Sequence, residues 1–186
     1  PTREGLVKLI GAIAKKEGYT LGAGVADLIA LLADGSYRDA LSILEKVFSV
    51  SSDKTISREE AEKATGAPKS SLVRGFVTAL HEGSAEAALT VLRQAGGQDV
   101  DMSLYLSLVL EEARTVLLIR HAPELRSAFK TELGEEYGAI EVIASAKDSK
   151  LTHATLKSLL DASARIRFSP IPALPLELAV LELYGG

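Results

Sequence analysis

Gly35-Ser36-Tyr37-Arg38-Asp39-Ala40-Leu41-Ser42-Ile43-Leu44-Glu45 is the stretch that decides how the chain reads. A glycine closes one apolar run, a serine opens the next, and Asp39 stands three residues after Ser36, the spacing of a capping box. Ala40, Leu41, Leu44 and Val47 then recur at helical intervals, which predicts a helix from Ser36 to about Phe48 that buries all four. A helix start, an amphipathic stripe and a glycine stop form the pattern that repeats on both sides.

Toward the N-terminus, Leu6, Leu9, Ile10 and Ile13 share helical spacing, with Lys15, Lys16 and then Gly18 as a stop signal. Val25, Leu28, Ile29 and Leu32 form a second helix that ends at Asp34-Gly35. Toward the C-terminus, 49–55 reads as a polar turn, and Ser57-Arg58-Glu59-Glu60 is a stronger capping box before a short helix that stops near Gly66. Gly66, Pro68 and two serines within 65–70 mark a domain boundary. Further helices are predicted at about 70–81, 84–95, 101–120, 123–133, 137–146 and 152–167. Ser169-Pro170-Ile171-Pro172 reads as an extended hinge, and Pro175 suits the first turn of a last helix over 176–184. Strand-like alternation is absent. The expected fold is all-α: a small helical bundle over 1–66 followed by a larger helical domain over 67–186.

Of the 186 residues, 47% are hydrophobic and 25% charged, so the chain has the means to bury a core. The net charge is −4 and no basic run exceeds Lys15-Lys16, which argues against independent grip on a phosphate backbone. The absence of cysteine excludes disulfides and thiolate chemistry. No apolar run is long enough to span a bilayer and no signal-peptide pattern opens the sequence, so no membrane partner and a cytoplasmic setting are expected.

Enzyme signatures are missing. No phosphate-cradling glycine loop is followed by lysine, and His81, His121 and His153 lack metal-ligand spacing. The pairs Glu59-Glu60, Glu111-Glu112 and Glu135-Glu136 are adjacent in helices, where neighbours diverge by roughly 100°, so they read as solvated faces rather than catalytic dyads. Neither a catalytic residue nor a metal ligand is expected. Arg38 is the exception to this bland surface. It sits in the first turn of a helix, where free amides already favour anions, and a guanidinium adds a bidentate phosphate contact. On helix physics alone the favoured reading is the ordinary one, in which Arg38 pairs with a neighbouring carboxylate.

The string Leu-Ala-Asp-Gly-Ser-Tyr-Arg-Asp-Ala-Leu-Ser-Ile-Leu over 32–44 resembles the lid motif of the bacterial DNA polymerase III gamma/tau subunits, the ATPase motors of the sliding-clamp loader. The resemblance implies that Arg38 is the second-sensor arginine that reads the phosphates of bound nucleotide, with Gly35, Ser36 and Asp39 supporting it. The acidic and alanine-rich stretch 56–66 resembles the link after that lid. Leu174-Pro175-Leu176-Glu177-Leu178-Ala179 resembles the helix closing the family's third domain. On this basis 1–66 is expected to be an AAA+ lid and 67–186 a helical collar through which loader subunits assemble. The collar's apolar stretch 104–119 suits a helix buried centrally or shared with another chain.

The family's phosphate loop, magnesium-binding acidic motif, zinc cysteines and arginine finger are all missing, so the sequence is expected to start at the lid and stop at the collar. ATP and magnesium then belong to the full-length protein and not to this portion. Sliding clamp and primer-template DNA are expected to meet only the missing ATPase domain. Tyr37 replaces the family's usual leucine, and Glu45-Lys46 a common Asp-Gln pair. A delta-type loader subunit, a free-standing helical adaptor whose last helix covers a groove, and a small DNA-binding helical protein are the alternatives. The lack of a basic recognition helix counts against the last.

Overall fold

The computed structural model describes residues 2–97 and 100–186. It is all-α apart from one minimal strand pair, and the chain divides into two compact units. One runs up to Ala67 and includes Glu132–Glu135; the other comprises Pro68–Thr131 and Glu136–Gly186.

The first unit is built on α1 (Arg3–Lys16), α2 (Val25–Leu32), α3 (Tyr37–Phe48) and α4 (Arg58–Thr65). Thr2 caps α1 by accepting from the Gly5 amide, and two lysines occupy its last turn, where cations suit the negative helix end. Leu6, Ile10 and Ala14 of α1 meet Val25, Leu28 and Ile29 of α2 and Ala40, Leu44 and Val47 of α3 in the core. Leu41 does not join them and remains 37% exposed. The stripe through 40, 44 and 47 already fills the buried face, and Leu41 lies about 100° around the helix from Ala40.

Two-residue strands β1 (Thr20–Leu21) and β2 (Thr55–Ile56) pair in parallel, which the sequence reading did not anticipate. Two residues carry no legible alternation; the pairing is a backbone event, with the Thr20 amide donating to Lys54 O and the Gly22 amide to Ile56 O, both at 2.8 Å. Gly22 permits this approach, because a Cβ there would stand 3.0 Å from Ile56 O. Tyr19 and Phe48 stack beside this bridge with centroids 3.9 Å apart, and Lys54 Nζ lies 5.5 Å from the Tyr19 ring centre.

In the second unit α5 (Ser70–Glu82), α6 (Ala85–Gly96), α7 (Met102–His121), α9 (Tyr137–Ser145), α10 (His153–Ile166) and α11 (Leu174–Tyr184) form a bundle. A 3-10 turn at Pro123–Leu125 leads into α8 (Arg126–Leu133), whose last two residues group with the first unit. Asp101 caps α7 by accepting from the Ser103 and Leu104 amides at 2.8 and 3.0 Å. α7 is the central helix, packed on α5, α9 and α10, while α6 and α11 pack on each other. Its apolar surplus is therefore spent inside the bundle. Each large side chain so buried stabilises by about 1.5–3 kcal/mol before entropy is counted.

Polar side chains lock this bundle. Tyr105, fully buried on α7, donates to Leu72 O at 3.0 Å. Burial, and next the nearby Glu112 charge, hold its phenol well above the ordinary tyrosine range. Arg74 of α5 pairs with Glu112 of α7 and, at 3.2 Å, with Glu136. Glu112 and Glu136 are thus not the solvated carboxylates that their tandem pairs suggested; each reaches the same guanidinium. Arg120 of α7 donates to Ala144 O at 3.1 Å, Ile143 O at 3.1 Å and Leu151 O at 2.7 Å. Burial lowers its pKa.

The segment between α10 and α11 is a bent turn rather than an extended hinge. The Ser169 hydroxyl donates to Ile171 O at 2.6 Å and accepts from the Ile171 amide at 3.3 Å. α11 begins at Leu174, two residues earlier than expected, and buries Leu176, Ala179 and Val180 against α10 and α6. This packing is inconsistent with a mobile cover over a groove.

Candidate functional site

The start of α3 gathers Gly35, Ser36, Arg38 and Asp39 within one turn. Asp34 and Gly35 both take positive φ, 44° and 82°, so the chain reverses between α2 and α3 without an extended loop. Glycine is the residue for which that conformation carries no Cβ penalty. Ser36 is the N-cap, with its hydroxyl accepting from the Asp39 amide at 3.2 Å. The Ala40 amide makes the first intrahelical bond, to Ser36 O at 3.0 Å. The amides of Tyr37 and Arg38 precede it and are among those a helix leaves without internal partners.

The capping box is only half formed. The Ser36 amide donates to Ala33 O at 2.8 Å, so Asp39, a methylene shorter than glutamate, does not close the reciprocal bond. At α4 both halves are present: the Ser57 amide donates to Glu60 Oε2 at 2.8 Å and the Glu60 amide to Ser57 Oγ at 3.2 Å.

Arg38 is exposed, and among the described residues its guanidinium makes no ion pair or hydrogen bond. Besides the helix's own backbone bonding, Arg38 O accepts from Ser42 Oγ at 3.1 Å. The ordinary alternative, pairing with a neighbouring carboxylate, is not what the geometry shows; Asp39 is exposed beside it without bonding it. Tyr37 is exposed on the same turn and Leu41 follows one turn later. The site thus offers a free guanidinium beside the positive end of a 12-residue helix.

The histidines do not converge. His81 Nδ1 lies 2.8 Å from Ser149 Oγ, and among the described residues no group of three His, Asp, Glu or Cys side chains could hold a metal. Nor is any described helix long and apolar enough to cross a membrane. Sequence reasoning missed the Arg74 trio and the Arg120 clasp, because their partners lie 23 to 62 residues away and leave no local pattern.

No family model matches the chain. The DNA polymerase III subunit tau of Bacillus subtilis strain 168 is 29% identical over 129 residues, which cover 69% of this chain and 23% of that protein. Among solved structures, the Bacillus subtilis DNA clamp loader delta protein matches with a TM-score of 0.50 at 15% identity, across all of this chain and 57% of its own. The chain therefore spans under a quarter of the curated relative and little more than half of the structural one. The chain is thus similar in sequence to a DNA polymerase III subunit and shares the fold of a clamp-loader protein.

Proposed function

We propose that this chain is the lid and collar portion of a bacterial gamma/tau-type clamp-loader subunit, cytoplasmic, in which residues 1–66 sense bound ATP and residues 67–186 join neighbouring subunits during DNA replication. The observation that carries the reading is Arg38, exposed and without an ion-pair partner among the described residues, at a capped helix start. A charge-assisted hydrogen bond to a terminal phosphate contributes about 1.5–3 kcal/mol, enough to bias closure of a lid but not to hold a nucleotide. Arg38 and the first amides of α3 fit one phosphate, and the sequence has no loop to cradle the others. In this reading ATP and magnesium are held by a separate ATPase core, to which the sliding clamp and primer-template DNA also belong.

For the second unit, support comes from apolar side chains left outside its core. Phe168 is 87% exposed, and Leu160, Ile171, Leu178 and Leu181 are exposed with it on α10, α11 and the turn between them. Side chains of this kind are what an assembly surface presents.

A delta-type subunit is the second reading, favoured by the solved delta structure that matches the whole length of this chain. Such a subunit reads no nucleotide and has no need of a free arginine at α3. The two separate by experiment. The longer subunit carrying this segment binds ATP, and Arg38→Ala weakens ATP at least tenfold while changing ADP little, the missing contact being to the terminal phosphate. Failure to bind ATP supports the delta-type reading; equal weakening of ATP and ADP removes Arg38 from the terminal phosphate.

A further inference from the structure

In the second unit, an open pocket of about 490 Å³ is lined by Arg120, Arg126, Lys147, Ser145, Ser149 and two alanines, 144 and 146. Three cations face it and no carboxylate lines it. Arg120 is fixed by its three carbonyl acceptors, and Arg126 is anchored through Nε to Ile119 O at 3.1 Å. None of the three cations forms an ion pair among the described residues. The acids nearest in sequence lie outside the lining: Glu141 accepts from the Tyr137 hydroxyl at 3.0 Å and keeps its charge, and Glu124 and Asp148 are exposed.

The carbonyls met by Arg120 and Arg126 include the ends of α9 and α7, each equivalent to roughly half a negative charge. Two such ends offset about one of the three cations, and the acids beyond the lining are screened by solvent, so the lining itself stays net positive. We propose that this pocket binds the doubly charged phosphate group of a small molecule. Arg126 and Lys147 supply the free N–H donors, Arg120 the fixed charge behind them, and Ser145 a hydroxyl at the rim. A phosphate group brings three acceptor oxygens and a double charge to this cationic lining, where a carboxylate brings two oxygens and one charge. The site involves neither Arg38 nor the apolar side chains assigned to assembly, so it stands or falls separately from the proposed function.

Free phosphate and a phosphate ester share this chemistry. The test is amide chemical-shift titration of the 186-residue chain with inorganic phosphate and with adenosine monophosphate, sodium chloride holding ionic strength constant. Saturable shifts confined to the surroundings of Ser145, Lys147 and Ser149, in the millimolar range, are expected. Equal response to both ligands assigns the phosphate group alone; tighter binding of the nucleotide assigns an ester. Lys147→Gln, at an exposed side chain, weakens binding about fivefold, the worth of one solvent-exposed ion pair, and adding Arg126→Gln abolishes saturation. Should the double variant not fold, the single one carries the test. Shifts that chloride reproduces, that spread over all exposed lysines, or that survive Lys147→Gln unchanged overturn the proposal.

Discussion

The two serine-capped helix starts of the first unit, α3 and α4, differ in what their arginines do. At α4 the box is closed and Arg58 is committed: its Nε bonds Glu62 Oε1 at 2.9 Å, and a terminal nitrogen donates to Gly24 O at 2.7 Å, tying α4 to the start of α2. At α3 the box is half closed, and Arg38, also in the first turn, touches no acceptor among the described residues. Similar local sequence has been used for architecture in one place and left unspent in the other. An arginine that contributes no internal contact is free to answer to something outside the fold.

Substitutions sharpen this contrast. Arg58→Ala is the most damaging, expected to cost about 2–3 kcal/mol in urea unfolding, because it leaves the nearly buried Glu62 carboxylate without this partner and frees Gly24 O. Ser57→Ala removes the hydroxyl that accepts from the Glu60 amide and donates to Glu60 Oε2, leaving only the Ser57 amide half of the box, and costs about 1–2 kcal/mol. Ser36→Ala loses a single bond and costs about 0.5–1 kcal/mol, and equal losses at the two serines would show that the half-closed box is closed in solution. Arg38→Ala is the smallest, within about 0.5 kcal/mol of the parent, as for a surface side chain without partners. A loss like that of Arg58→Ala would end the contrast.

What was legible in the sequence was what is local. Ser36, Asp39 and Gly35 lie within one turn, so the α3 start followed from spacing alone, as did the glycine stop at Gly66, whose φ is 74°; that Arg38 leaves its neighbouring carboxylate unpaired did not. The capping box failed by the length of one methylene, a difference between Asp39 and Glu60 that spacing does not weigh. Apolar character alone puts Leu41 inside, whereas the stripe through Ala40, Leu44 and Val47 already fills the buried face. The parallel bridge and the Arg74 and Arg120 contacts stayed hidden, since each joins distant segments and depends on where whole helices lie. Glu112 shows the consequence: its neighbour in sequence suggested a solvated face, while its neighbour in space is Arg74, 38 residues earlier.

Arg38→Ala, read at once for stability in this chain and for ATP-driven clamp loading in the longer subunit that the proposed function implies, tests the central claim most directly. Unchanged unfolding with loading reduced about tenfold or more is the predicted pair of results, matching a lost charge-assisted contact to phosphate. Unchanged unfolding with unaltered loading would contradict the claim that this arginine is held in reserve for nucleotide.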